Sequence, residues 1–140
     1  MEPAETRTFL EGGTRTGKLA VLRRDGSPHV VPIWFVVDEA NDDIVFMTGA
    51  TTLKGRALRR DPRVSLCVDD EAPPFSFVRV DGTVVVSEDP EKRLRWSLRI
   101  AHRYMGPELA EEYGRRNAVP GELLVRLHLA RVVARAGIAD

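Results

Sequence analysis

Apolar and polar positions along this chain fall into short runs of period two, cut by turn residues, with two stretches of helical period between them. Lys18 to Arg24 reads as a first strand, and Asp25-Gly26 as a hairpin turn. Ser27 to Asp38 follows as a second strand. Its run Val30-Val31-Pro32-Ile33-Trp34-Phe35-Val36-Val37 is almost continuously apolar, so both faces should be covered. Pro32 has no N–H to give a ladder, so that point must lie on an edge or at a bulge. Ile44 to Thr48, Arg63 to Asp69 and Phe75 to Ser87 are the third, fourth and fifth strands. Asp81-Gly82, inside the fifth, predicts a sharp bend that lets one strand serve two sheets. Glu122 to Ile138 is the sixth, with Leu123, Val125, Leu127 and Leu129 alternating against Arg126 and His128.

Helical period appears after Thr51-Thr52, where Leu53, Ala57 and Leu58 share a face; Pro62 ends that helix after about two turns. Asp89-Pro90 opens a longer one, as N-cap and first helical residue. Leu94, Leu98, Ala101 and Met105 form its apolar stripe, widened by Trp96, Ile100 and Tyr104, with Arg93, Arg95, Arg99 and Arg103 expected on the flanks. Gly106-Pro107 breaks it, and Glu108 to Arg116 makes a second helix. Residues 1–16 are a polar N-terminal segment with a short helix around Glu5 to Glu11, ahead of a single domain over 17–140. Six strands joined by short turns, a short helix after the third and a helical pair before the last argue for an antiparallel barrel or sandwich rather than a βαβ fold.

Composition narrows the function classes. The chain has 140 residues, 43% of them hydrophobic, enough for one real core. Net charge is zero, and basic residues are not interleaved with exposed aromatics, so nucleic acid is not an expected partner. A lone Cys67 inside an apolar run excludes an internal disulfide and fits a reducing compartment. With no signal-like segment and no run of about 18 apolar residues, a cytoplasmic protein with no membrane contact is expected. His29, His102 and His128 have no pairwise metal-ligand spacing, so no metal site is expected.

The informative chemistry lies in Thr48-Gly49-Ala50-Thr51-Thr52-Leu53-Lys54. A strand that ends in a Gly-containing turn and opens a helix leaves amide N–H groups pointing outward at a partly positive end. Hydroxyls of Thr48, Thr51 and Thr52 flank that end, Lys54 adds an ammonium, and Arg56, Arg59 and Arg60 follow. This reads as a phosphate cradle; a capped surface helix with solvated basic side chains is the alternative. An interrupted ladder at Pro32, beside Trp34, is where a flat ring could lie, although spacing alone favours core packing for Trp34. One competing motif fails. Gly12 to Lys18 has the spacing of a Walker A loop, but Leu19 stands where a Ser or Thr should ligate Mg²⁺, and a strand rather than a helix follows.

The order of these features resembles the pyridoxamine 5′-phosphate oxidase-like split β-barrels, and within them the actinobacterial deazaflavin (coenzyme F420)-dependent reductases. Its carriers are the Asp25-Gly26 turn, the Ser27-Pro28-His29 strand, Phe46-Met47-Thr48, and Lys54 to Arg63 leading into Val64-Ser65. The resemblance covers roughly residues 17–135. It implies a mostly β, six-stranded split barrel, a homodimer with cofactor sites at the subunit interface, and a small-molecule substrate. On it, the backbone of Val31, Pro32, Ile33 and Trp34 would run along the ring system. Thr48 and Gly49 would approach the ribityl–phosphate region, and Thr51, Thr52 and Lys54 would hold the phosphate. Arg56 and Arg59 would meet an acidic tail. The FMN-using members carry an Arg where this chain has Val31 and a Lys near Val36. Losing each cation should forfeit roughly 1.5–3 kcal/mol. The resemblance therefore implies F420, with a phosphodiester and an oligoglutamate tail, with FMN as the alternative. The implied reaction is hydride transfer from reduced F420 to a conjugated acceptor; a carrier that only binds F420 is the other reading. No side chain is obliged to be the acid: His29 is the catalytic candidate, and solvent or a tyrosine are the others.

Overall fold

The computed structural model describes all 140 residues. In chain order they form α1 (Pro3–Glu11), β1 (Gly17–Leu22), β2 (Pro28–Ile33), β3 (Phe35–Asp38), β4 (Asp43–Gly49), α2 (Leu53–Arg60), β5 (Arg63–Asp69), β6 (Phe77–Ser87), α3 (Pro90–Met105), α4 (Ala110–Asn117), β7 (Glu122–His128) and β8 (Arg131–Arg135). The strands pair antiparallel in the order β2-β1-β5-β6-β7-β4-β3, with β8 beside β6.

Eight strands stand where six were expected, because two of the predicted strands are each cut once. The first cut is at Trp34. β2 pairs with β1, Pro32 opposite Lys18, whereas β3 pairs with β4, Phe35 opposite Phe46. The two ends of the strand order are thus neighbours in sequence, and the chain curls the sheet through one residue. Pro32 sits on β2, an edge strand, where its missing N–H costs no ladder bond. The second cut is at Leu129-Ala130. From Val84 to Asp81, β6 moves three residues, while its partner moves four, from Leu127 to Arg131. That extra residue is a bulge, and it divides the last strand into β7 and β8.

The bend expected at Asp81-Gly82 is present. Residues Phe77 to Thr83 of β6 pair with β5, and Val84 to Ser87 pair with β7. The barrel interior is filled by alternate residues of its strands, among them Leu19, Phe35, Phe46, Leu66, Val78, Leu123 and Leu127, with Leu10 of α1 added from outside the barrel. Burial of each such side chain contributes about 1.5–3 kcal/mol. A smaller cluster lies on the outer face of β3, β4 and β7, where Trp96 and Ile100 of α3 cover Val36, Val45 and Leu124.

The caps are those expected. Asp89 accepts from the amides of Glu91 and Lys92 at 2.9 and 3.3 Å, and Gly106, at φ 86°, ends α3. α4 lies close on α3: Ser97 donates to the Gly114 carbonyl at 2.7 Å. The face of α3 is rotated from the expected one. Arg93, Trp96, Ser97, Ile100 and Ala101 are its buried residues, and Leu94 and Leu98 are only half-buried. Arg93, expected on a solvated flank, is inside.

Candidate functional site

The corner where β4 hands over to α2 is held by its own hydroxyls. Thr52 is the N-cap: its hydroxyl accepts from the Gly55 amide at 3.0 Å and donates to the Gly49 carbonyl at 2.8 Å. Its proton being spent there, the buried Thr48 hydroxyl, 3.2 Å away, is the donor between the two threonines. The cap takes one amide of the first turn. The amides of Leu53 and Lys54 donate to nothing within the chain. The helix can sit this close because residue 55 is glycine: a Cβ there would lie 2.0 Å from the Gly49 carbonyl oxygen.

A cavity of about 330 Å³ opens at this corner and reaches Trp34. Its size is at the lower end of the usual range for ligand sites. It gathers Pro32, Ile33, Trp34, Thr48, Gly49 and Lys54, six residues marked from the sequence. Met47, Ile100, Asn117 and Glu122 complete the lining and were not marked. Trp34 is not the core residue that spacing favoured. It is 39% exposed and stacks on Tyr104, with ring centroids 4.9 Å apart and 4° between the planes. The Tyr104 hydroxyl accepts from the Phe35 amide at 3.2 Å and donates to the Arg15 carbonyl at 2.9 Å, so both its roles are taken. Burial pushes that phenol's pKa upward, and the Phe35 amide bond works against it.

Five other marked positions lie outside the lining. Val31 packs its side chain against the core. Thr51 and Thr52 are exposed, as is Arg56. Arg59 pairs with Glu88 at 2.8 Å. His29, the candidate acid, is also apart. It stands opposite Val21, with Nδ1 3.2 Å from Arg23 Nη2. It is five residues along an extended strand from Trp34, roughly 16 Å. Lys18 of the Walker-like run lies in β1 and pairs with Asp69 at 2.8 Å, so no phosphate loop exists there.

The charges at the corner are half-buried and unpaired. Burial lowers the Lys54 pKa, and Glu122 pulls it part of the way back. Burial raises the Glu122 pKa, opposed by Lys54 and Arg93. Arg93, 7% exposed, reaches the Glu122 carbonyl through Nη1 at 3.5 Å, while its Nε is buried without a partner. Two unspent amides and an ammonium suit a phosphate, and the under-used Arg93 guanidinium adds positive charge from beside the Glu122 backbone. The Trp34–Tyr104 platform at the other end suits a flat ring. No local motif marks Arg93, Tyr104 or Glu122; helix packing and strand pairing bring them here.

A family model described as pyridoxamine 5′-phosphate oxidase matches residues 3–135. No curated protein matches the chain. Among solved structures, a conserved hypothetical protein of Mycobacterium tuberculosis is 30% identical with a TM-score of 0.82, over 96% of this chain and 84% of that one. A structure described as an F420 reductase is 22% identical with a TM-score of 0.68, over 90% and 94%. The haem storage protein of Vibrio cholerae is 19% identical with a TM-score of 0.73, over 94% and 93%. At such identities the last two likenesses are of fold alone. No helix of the chain is long and apolar enough to cross a membrane.

Proposed function

This chain belongs to the pyridoxamine 5′-phosphate oxidase family, and we propose that it is an F420-dependent oxidoreductase acting on a small conjugated acceptor such as an enone, a quinone or a tetrapyrrole. The observation that carries this reading is the cavity running from the amide end of α2 to Trp34. The amides of Leu53 and Lys54, with the Lys54 ammonium, would hold the phosphodiester. Pro32, Ile33 and Trp34 would flank the ring, with Tyr104 fixing the indole from behind. Arg56 is exposed one turn from the cradle, available to an acidic tail; Arg59 would first have to leave Glu88. When bound, the reduced coenzyme supplies the hydride, and the chain supplies position and electrostatics. FMN fits less well, since Val31 faces the core and Val36 is buried under α3, where FMN-using members carry cations.

Titration of purified protein with F420 and with FMN tests the reading. Micromolar or tighter binding of F420 is expected; FMN binding in that range without F420 binding overturns it. Lys54→Ala should weaken F420 by about 1.5–3 kcal/mol, roughly 10- to 150-fold. An unchanged Kd would remove Lys54 from the site.

A carrier without turnover is the second reading. It is favoured by the engaged Tyr104 hydroxyl and the distant His29, which leave protonation of a product to solvent. The two readings separate on whether reduced F420 is consumed in the presence of a panel of enones, quinones and tetrapyrroles.

A homodimer belongs to the same proposal. Pro28, Val30 and Pro32 point outward from β2, with Val30 60% exposed opposite Ala20 of β1. This apolar strip suits a second copy of the chain. Val30→Glu should convert a sedimenting dimer to monomer; a wild type that already sediments as monomer removes the interface.

A further inference from the structure

We infer that Glu122 is the specificity-determining residue of the cradle, selecting a singly charged phosphodiester over a doubly charged phosphomonoester. The inference rests on the cofactor reading above and concerns which phosphate this corner tolerates. A carboxylate is the group least expected in a phosphate site, yet strand pairing puts one there. β7 begins at Glu122, directly opposite Gly49, where β4 gives way to the turn into α2. The Ala50 amide, donating to the Gly121 carbonyl at 2.8 Å, fixes that register. The Glu122 carboxylate lines the same cavity as Lys54, and its Oε1 stands 3.9 Å from where a Cβ on Gly49 would be.

Glu122 is not locked into a structural ion pair. None of the chain's ion pairs includes Glu122 or Lys54, and no side chain or amide donates to its carboxylate. Arg93 approaches only the backbone carbonyl of the same residue. Lys54 and Glu122 line the cavity, and the buried Arg93 guanidinium is near enough to Glu122 to act on its charge. With the partly positive amide end of α2, the corner keeps a modest positive excess, which the single negative charge of a phosphodiester suits. A phosphomonoester carries close to two above pH 7, since its second pKa is about 6. The extra charge meets Glu122 across a half-buried site, where like charges a few ångströms apart are weakly screened. A discrimination of about 10- to 100-fold is the size expected of one such contact.

The test is titration of wild type, Glu122→Gln and Glu122→Asp with F420 as the phosphodiester and FMN as the phosphomonoester, at pH 8 and fixed ionic strength. Glu122→Gln should tighten FMN by about 10-fold or more and change F420 by less than about 3-fold. Glu122→Asp keeps the charge and should leave FMN as weak as in wild type. An equal change for both ligands, loss of F420 binding in the Gln variant, or FMN gained equally by the Asp variant each overturns the inference while the cofactor reading stands. A wild type that binds neither ligand overturns the cofactor reading, and this inference with it.

Discussion

Gly55→Ala should cost the fold and the ligand site together. The new Cβ would sit 2.0 Å from the Gly49 carbonyl oxygen, far inside van der Waals contact, and its neighbour is backbone rather than a side chain that can rotate away. α2 must then back off from the end of β4 by more than an ångström. Overpacking of this kind costs about 1–3 kcal/mol, and a forced backbone shift lies at the upper end. A fall in Tm of about 3–10 °C is expected for a domain of this size. The same movement stretches the Gly55 amide from the Thr52 hydroxyl and swings the Leu53 and Lys54 amides out of line. F420 affinity should therefore drop at least as far as in Lys54→Ala. Gly49→Ala is the comparison for melting alone, since Gly49 lines the cavity. Its Cβ would meet no backbone, only the Thr52 methyl at 3.2 Å and Glu122 Oε1 at 3.9 Å, and it should cost less stability than Gly55→Ala. Calorimetry of the two variants side by side, with titration of Gly55→Ala, decides the matter. A Gly55→Ala protein melting with the wild type and binding as tightly would refute the close-approach account.

Arg103→Met should release the N-terminal helix. The Arg103 guanidinium donates to the carbonyls of Phe35 and Leu10, each at 2.7 Å, and to those of Gly13 and Gly12 at 3.1 and 3.3 Å. It also lies over the Phe35 ring, 4.6 Å from its centroid. α1 has no basic residue in its own last turn; Arg15 donates to its Phe9 carbonyl at 3.0 Å, and Arg103, about 90 positions away, caps the Leu10 carbonyl. Methionine keeps the apolar stem and removes every donor. The two short charge-assisted bonds set the scale at about 2–4 kcal/mol, allowing for water reaching the freed carbonyls. Amide exchange across residues 3–11 should accelerate more than in the barrel strands, and trypsin should cut sooner at Arg7 and Arg15. Unchanged protection of α1 would show that Leu10, the Arg7–Asp42 pair and Arg15 hold it without Arg103. A secondary loss of F420 affinity is expected, since Arg15 of the same segment accepts from the Tyr104 hydroxyl behind Trp34.

What the sequence made legible was local. The β4–α2 corner is written in consecutive residues, a threonine, 51 or 52, as cap and Pro62 as stop, whereas the close approach that requires Gly55 shows only in the folded chain. The bend at Asp81-Gly82 and the Asp89-Pro90 start are equally local. What escaped needed tertiary information. Trp34 lies in an unbroken apolar run, and only closure of the sheet shows that the ladder changes partner there. The bulge at Leu129-Ala130 carries no Gly, Asn or Pro, so no turn residue marks it in the sequence. Arg93 is charged and fell on a helix flank by periodicity, but a long aliphatic stem lets a guanidinium lie inside a packed surface. Glu122 begins a strand as any solvated residue might, and nothing nearby in sequence says that it faces Lys54, 68 positions earlier. His29 was marked for its chemistry, and its place along β2 puts it far from the cavity.

The bend in β6 reaches beyond topology. Its first half is a rung of one side of the barrel and its second half a rung of the other, so a single run of backbone is common property of both. Fraying on either side has to stop at that run or pass through it. The two sides are thereby bound into one cooperative unit, and a loss of stability at the ligand corner is felt across the whole domain rather than dissipated in half of it.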